Sequence, residues 1–328
     1  MSGHDEVRRL AEQVFAESSS TGTGFDAELW RALEQTGLAR LTLPEQAGGS
    51  GGTFADAAAV LGAAGAYAAR VPLAETDLLA GWLLHTCGLE VPDGPLTAAV
   101  TEPGGSEVAR VPWARAARLV VVLAGEDVLL VDPAAVELVE GTNVAEEPRD
   151  TLRVDHVAAA ATAPAGTVEE YRLRAALGRA MLLAGAARAA LARSVRYATE
   201  RVQFGRPISR FQAVQHQLAV AAGEVAAATA ATTAAARAVD RDGFAASAFA
   251  IYSAKVRTGQ AAGEVARIAH QVHGAIGFTR EHDLRLATTR LWAWRDEDGS
   301  EAEWAERIGD RVLATGADGL WSMVTGEP

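Results

Sequence analysis

In the stretch Tyr197-Ala198-Thr199-Glu200-Arg201-Val202-Gln203-Phe204-Gly205-Arg206-Pro207-Ile208, followed by Phe211-Gln212-Ala213-Val214-Gln215, one long helical pattern has to stop and another to begin. Gly205 and Pro207 force the break: glycine takes turn conformations freely, and proline lacks the backbone donor a helix interior needs. Arg201 then sits near a helix end beside an apolar anchor, and Gln212 and Gln215 fall on the first turns of the next helix. Such a set can hold an anionic, planar ligand, with Arg clamping phosphate and Gln bonding ribose or base edges. A solvated helix–turn–helix corner fits the same spacing.

Outward from this corner the patterns are long. Val168–Val202, Ser209–Asp240 and Phe244–Ala275 each read as a helix able to cross a domain, with breaks at Phe204–Pro207 and Asp240–Gly243. Short connections favour antiparallel neighbours, hence a four-helix-type bundle. Shorter helices follow at Asp283–Trp294 and Glu301–Ala314. Upstream the period changes. Leu96–Val100, Leu119–Leu123 and Val128–Val131 are short Val-rich runs between turn signals, and Val154–Val157 reads as a further strand. The N-terminal part is helical again: Phe25–Leu38 carries one apolar face, Asp26 is an N-cap and Gly37 a stop, and Thr53–Ala69 is an Ala-rich helix. The expected organisation is mainly α, with an N-terminal helical domain (1–94), a small β domain (95–165) and a C-terminal helical bundle (166–328).

Composition agrees with this division. The chain has 328 residues, 49% hydrophobic and only 6% aromatic, with alanine abundant, as suits helices packed through small side chains. Thirty basic against 42 acidic residues give a net charge of −12, which argues against nucleic acid as a partner. Lys255 is the only lysine. The single cysteine, Cys87, excludes an intramolecular disulfide framework and reads as a buried small residue. A charged Met1–Leu10 without a signal peptide, and no apolar run of bilayer length, lead to the expectation of a cytoplasmic protein without a membrane segment.

A second informative stretch is Gln271-Val272-His273-Gly274-Ala275-Ile276-Gly277-Phe278-Thr279-Arg280-Glu281-His282. Alone it passes for a helix C-terminus with a glycine stop. Taken with Arg201–Gln215, it resembles the acyl-CoA dehydrogenase family of flavoproteins. Leu43-Pro44-Glu45 leading to Gly48-Gly49, and Val100-Thr101-Glu102-Pro103-Gly104-Gly105-Ser106, resemble that family's N-terminal and middle-domain signatures, so the likeness runs along the whole chain. It implies an FAD enzyme oxidising an acyl-CoA thioester to its trans-2-enoyl form: a carboxylate removes the α-proton as the β-hydrogen leaves as hydride. It also implies a homo- or hetero-oligomer, dimer or tetramer, with FAD at the subunit interface, and an acceptor like the electron-transferring flavoproteins. Carried over, the cofactor residues are Arg201, Gln203, Phe204, Gln212, Gln271, Gly274, Ala275 and Thr101, with Ser106 toward substrate. Ala275 replaces a second glycine.

The catalytic base departs from the family pattern. Counting on from Gly274 brings Asp298-Gly299-Ser300 to the place of the usual Glu-Gly, so Asp298 is the expected base and Glu297 its alternative. Asp is one methylene shorter, and a misplacement of about 1 Å can cost on the order of a hundredfold in rate. A solvated acidic loop before the last helix also fits Arg295–Glu303. The other position used in the family, on the helix before Arg201, is Ala175. The middle domain is also short, and Trp113 reads as core rather than flavin contact. His270 and His273 lack a carboxylate to complete a metal site; His282 beside Glu281 reads as a surface or interface pair, and Glu146-Glu147 as a solvated turn. The alternative to an active dehydrogenase is a catalytically silent subunit that lends Arg201 and Gln271 to complete the FAD site of a paired chain.

Overall fold

The computed structural model describes residues 3–18, 24–279 and 282–325. The N-terminal helices are α1 (Gly3–Glu17), α2 (Ala27–Gln35) and α3 (Phe54–Ala66), followed by a π-helical segment, Glu75–Gly81, that runs into α4 (Trp82–Thr86). Asp26 caps α2 by accepting the Leu29 amide at 3.0 Å. Thr53 and Asp56 form a reciprocal capping box on α3. Asp240, far along the chain, accepts the amides of Phe54 and Ala55 at 2.7 and 2.9 Å and so ties α3 to the bundle.

Seven strands follow: β1 (Leu96–Thr101), β2 (Glu107–Pro112), β3 (Leu119–Ala124), β4 (Asp127–Val131), β5 (Leu138–Val139), β6 (Arg149–Arg153) and β7 (Ala159–Thr162). They make a four-stranded sheet, β1-β3-β4-β7, and a three-stranded one, β2-β6-β5. Only β1 and β3 pair in parallel. Alternation along β3 sends Val121 and Leu123 into the main helical core, and Val120 and Val122 into a second, smaller core with Val108, Val111 and Leu152. The four-stranded sheet is therefore covered on both faces. Val154–Val157 is not a strand: it links β6 to β7, with Asp155 and His156 exposed. β2 escaped notice because its exposed Glu107, Ala109 and Arg110 interrupt the apolar signal. Trp113 is buried.

The C-terminal part comprises α5 (Thr167–Glu200), a hairpin of β8 (Val202–Gln203) and β9 (Arg206–Pro207), α6 (Gln212–Ala246), α7 (Ala248–His273), α8 (Leu284–Arg295) and α9 (Glu301–Thr325). Phe204 and Gly205, at φ 52° and 78°, form the two-residue hairpin tip, where positive φ matches the twist of the paired strands. The break expected at Asp240–Gly243 is a kink at Gly243 within α6, and the α6–α7 boundary falls at Ser247. The last helix runs past Ala314 to Thr325, with a kink at Gly316. Where α3 crosses α5 the backbones nearly touch: a Cβ on Gly185 would stand 2.0 Å from the Gly62 carbonyl oxygen, and one on Gly65 2.1 Å from that of Leu182.

One composition-based expectation needs correcting. By length and composition α5 and α6 both qualify as bilayer-spanning helices. The apolar stretch of α5 lies mostly inside the fold, as the central bundle helix requires, whereas that of α6 is mostly outside it.

Candidate active site

A cleft of about 790 Å³ opens between the β domain and the bundle. Its walls are Ala98–Val100 of β1, Glu75 and Leu79 of the π-helical segment, Tyr171, Ala175 and Arg179 of α5, and the α8–α9 turn Asp296–Gly299. Ala175 and Asp298, the two positions that the family resemblance marks for a base, thus face one cavity. Only the second bears a carboxylate.

Arg179 organises this cavity. Its Nε donates to Asp298 Oδ2 at 2.8 Å, Nη2 to Glu75 Oε1 at 3.2 Å, and Nη1 lies 3.4 Å from Glu297 Oε2. Burial alone would lower the pKa of this guanidinium, but Asp298, Glu297 and Glu75 together raise it. The shared cation does not serve all three carboxylates equally. Burial outweighs Arg179 and raises the pKa of Glu75. For Glu297, burial is overridden by Arg179 and Arg149, which hold its carboxyl at about 2. Arg149 grips Glu297 with Nε and Nη2 at 2.9 and 2.7 Å, and Asn143 Nδ2 adds a bond at 3.0 Å. With both oxygens committed and a pKa this low, Glu297 is badly matched to proton abstraction near neutrality. It is a buried strut between the β domain and the α8–α9 turn, which corrects the solvated-loop reading of this residue.

Asp298 differs. It adopts the left-handed conformation, φ 56°, which aspartate tolerates better than most residues, and its side chain is 24% exposed. Arg179 engages Oδ2, while Oδ1 accepts no hydrogen bond from a described residue. Its own carbonyl accepts the Trp304 indole N–H at 2.9 Å. The turn is therefore anchored on both sides with one carboxylate oxygen uncommitted.

Glu147 corrects another expectation. It is buried, 3.0 Å from Arg290 Nε and 3.3 Å from Arg149, and it accepts the Trp294 indole N–H at 2.8 Å. The solvated-turn reading holds only for its exposed neighbour Glu146. Cys87 is a free, partly buried thiol whose pKa burial raises.

The two bundle motifs meet elsewhere. Tyr197 stacks on His273 at 4.4 Å, bringing the α5–α6 hairpin beside the end of α7. Here Arg201, Gln203, Phe204, Gln212, Gln271, Gly274 and Ala275 are all exposed, Phe204 and Phe278 the most openly, at 91% and 68%. Beneath them His270 Nδ1 and His273 Nε2 are buried without partners, and burial lowers both imidazole pKa values. Gly274, at φ 64°, faces open space. Exposed aromatic faces, a free guanidinium, amides and unsatisfied ring nitrogens fit part of a dinucleotide. Arg201 follows Arg179 by 22 residues on or just past α5, about 33 Å along the axis. The motif end and the cleft thus lie at opposite ends of one helix. Thr101 ends β1 and Ser106 precedes β2; neither lines the cleft. Glu281 lies outside the described residues.

Sequence reasoning missed Glu75, Arg149, Tyr171 and Arg179. Two signals were available: Arg179 stands alone in the apolar Ala175–Ala187 run, and Glu75 and Asp77 interrupt the apolar Val71–Leu84 run. An ionisable residue inside a helix core is rarely unpaired.

A helical domain, a small two-sheet β domain and a helical bundle, with a carboxylate-bearing cleft where they meet, define a class of nucleotide-cofactor enzyme architecture. Family comparison gives it a name. Residues 4–91 match the acyl-CoA dehydrogenase N-terminal domain, and residues 172–313 the acyl-CoA dehydrogenase C-terminal domain. The chain is 34% identical over 271 residues to acyl-CoA dehydrogenase IpdE2 of Mycolicibacterium smegmatis, covering 80% of this chain and 81% of that relative. It belongs to the acyl-CoA dehydrogenase family. The ChsE4-ChsE5 complex of Mycobacterium tuberculosis shares the fold, with TM-score 0.86 and 22% identity over 97% of this chain and 99% of that one. A Tcur3481-Tcur3483 steroid ACAD variant superposes with TM-score 0.83 and 26% identity, covering 95% and 98%.

Proposed function

We propose that this chain is an acyl-CoA dehydrogenase subunit that desaturates an acyl-CoA thioester between Cα and Cβ, with Asp298 as the base. FAD, the cofactor of the family, supplies hydride acceptance when bound. The observation that carries the reading is the pair Asp298–Arg179 in the cleft: a partly exposed carboxylate with one oxygen held and one uncommitted. In this role Asp298 receives the α-proton on Oδ1, while Arg179 holds Oδ2 and aims the carboxylate. Leu79, Ala98 and Trp304 supply apolar wall against the acyl group and keep bulk water from the reacting carbons.

Arg201, Gln203, Phe204, Gln212, Gln271, Gly274 and Ala275 hold the diphosphate and adenosine end of a cofactor seated mainly on a neighbouring subunit. The length of α5 between them and the cleft supports that division. Thr101 makes a backbone-level contact to flavin and Ser106 one toward substrate. A steroid-derived acyl-CoA is the substrate class supported by the steroid ACAD relative, and an electron-transferring flavoprotein the acceptor.

The test is anaerobic addition of acyl-CoA to the purified, flavin-loaded protein. The flavin absorbance should bleach, and Asp298→Asn should slow bleaching by about 10²–10⁴-fold while FAD stays bound. Unchanged bleaching in that variant would remove Asp298 from the role. A second reading is favoured by the two-component ChsE4-ChsE5 relative: a silent subunit lending its motif residues to a paired chain that carries the carboxylate. A colourless chain that becomes yellow only with a homologous partner, with Asp298→Asn harmless in the complex, would establish it.

A further inference from the structure

All 30 basic side chains are arginine except one, and that one, Lys255, is entirely buried. It projects from α7 under the α8–α9 turn. Its Nζ donates to the carbonyl oxygens of Arg295 at 2.8 Å and Gly299 at 2.7 Å. These two carbonyls bracket Asp296, Glu297 and Asp298. The first belongs to the last turn of α8, where helix carbonyls lack intrahelical partners and negative partial charge collects. The second belongs to the residue directly after Asp298.

We propose that Lys255 is a positioning residue: its ammonium ties the Arg295 and Gly299 carbonyls together and so holds Asp298 in the left-handed conformation that delivers its carboxylate to Arg179 and the cleft. The catalytic consequence rests on the reading of Asp298 as base; the tie itself does not. The geometry also accounts for the amino acid. Two carbonyls converging on one buried point suit a compact cation with three rotatable donors. A guanidinium would need a planar slot and two parallel acceptors. Small residues on the same face of α7 leave the room: Gly259 lies against Glu301, and Gly263 against Arg295.

The charged neighbours come from each element packed on the site. Asp296, Glu297 and Asp298 face Lys255 from the turn, Arg179 from α5 and Glu303 from α9. Burial lowers the ammonium pKa to about 8; Asp298, Asp296 and Glu297 oppose that fall, and Arg179 adds to it. The tie is thus charged at neutral pH and loses its charge as pH rises through about 8.

Amide hydrogen exchange of residues 296–300 in the assembled full-length protein tests this, read at about pH 6.5 and about pH 9.5 after correction for intrinsic exchange. In the wild type, protection of the turn should drop at the higher pH while the α5 and α7 amides keep theirs. Lys255→Met, of similar length and without donors, should speed turn exchange on the order of tenfold or more at the lower pH and abolish the pH step. Lys255→Arg should not restore it. Turn exchange unchanged in Lys255→Met, or raised only in step with every other amide, would overturn the proposal by making Lys255 an ordinary core residue. If Lys255→Met does not fold, Lys255→Leu read at the lower pH decides: turn exchange as slow as in the wild type overturns the tie. The base assignment is separable. Should Asp298→Asn leave flavin reduction intact while Lys255→Met opens the turn, Asp298 falls as base and the tie stands.

Discussion

Arg179 shows how one side chain can serve three anions unequally. With three carboxylates within 3.4 Å and almost no exposure, its removal strands buried charge instead of merely deleting a contact. Arg179→Met should cost about 3–5 kcal/mol of stability, measured by urea unfolding, and should abolish flavin reduction if the chain still folds. Glu297 gives the acid limb of the stability curve. Its folded-state pKa of about 2 lies below its ordinary 4.5, so its stabilisation is complete above about pH 4.5 and lost as pH falls toward 2. Glu297→Gln should therefore lower the unfolding midpoint at pH 6 and flatten its decline on acidification; an unchanged acid limb would place the shift elsewhere. Asp77 has the opposite sign. Burial raises its carboxyl to about 7, against the bonds it accepts from Thr42. Native Asp77 binds its proton more tightly than the unfolded chain does, so stability falls as pH climbs from about 4 to about 7. Asp77→Asn should remove that fall while keeping an acceptor for the Thr42 amide.

At the scale of elements, what was legible in the sequence follows from period and punctuation. α2, α3, α5 and α7 carry long apolar periodicity with Asp26, Thr53 or glycine at their ends, so their starts fell within a few residues of expectation. Three strands were equally plain, because β1, β3 and β4 are dense in aliphatic residues. β2 and β6 were not: they carry Glu107, Asp150 and Arg149, which pair with Arg153, Arg115 and Glu297 far along the chain. The cleft was opaque for the same reason. The carboxylates gathered on Arg179 come from residues 75, 297 and 298, and no local pattern announces that they meet. The π-helical Glu75–Gly81, which turns Glu75 into the cleft, has no sequence period of its own. The α3–α5 crossing offers a direct test of packing through glycine. Gly185→Ala sets a methyl against the Gly62 carbonyl, where backbone rather than a flexible side chain must yield. A loss of about 1–3 kcal/mol in unfolding free energy is expected, and a neutral effect would mean that the crossing relaxes.

For the whole molecule, the separation of two functional ends along α5 makes a claim about assembly. Asp298 and Arg179 sit at one end, Arg201 and Gln271 at the other, about 33 Å apart. If FAD and substrate share one site per subunit, that site takes its base from one chain and its motif residues from the next. Two inactive variants can then complement each other. Arg201→Ala should release FAD without changing the thermal midpoint of the FAD-free protein, because its side chain is exposed and makes no bond to a described residue. Asp298→Asn should keep FAD and lose turnover. In a mixed dimer, one of the two sites receives Asp298 from the Arg201→Ala chain and Arg201 from the Asp298→Asn chain, and is intact. With random subunit exchange half the dimers are mixed, so about a quarter of the wild-type sites, and of the wild-type rate of acyl-CoA-dependent flavin reduction, should return on mixing two inactive preparations. No recovery despite demonstrated subunit exchange would mean that each chain builds its site alone, and that the motif end of α5 serves something other than its neighbour's cofactor.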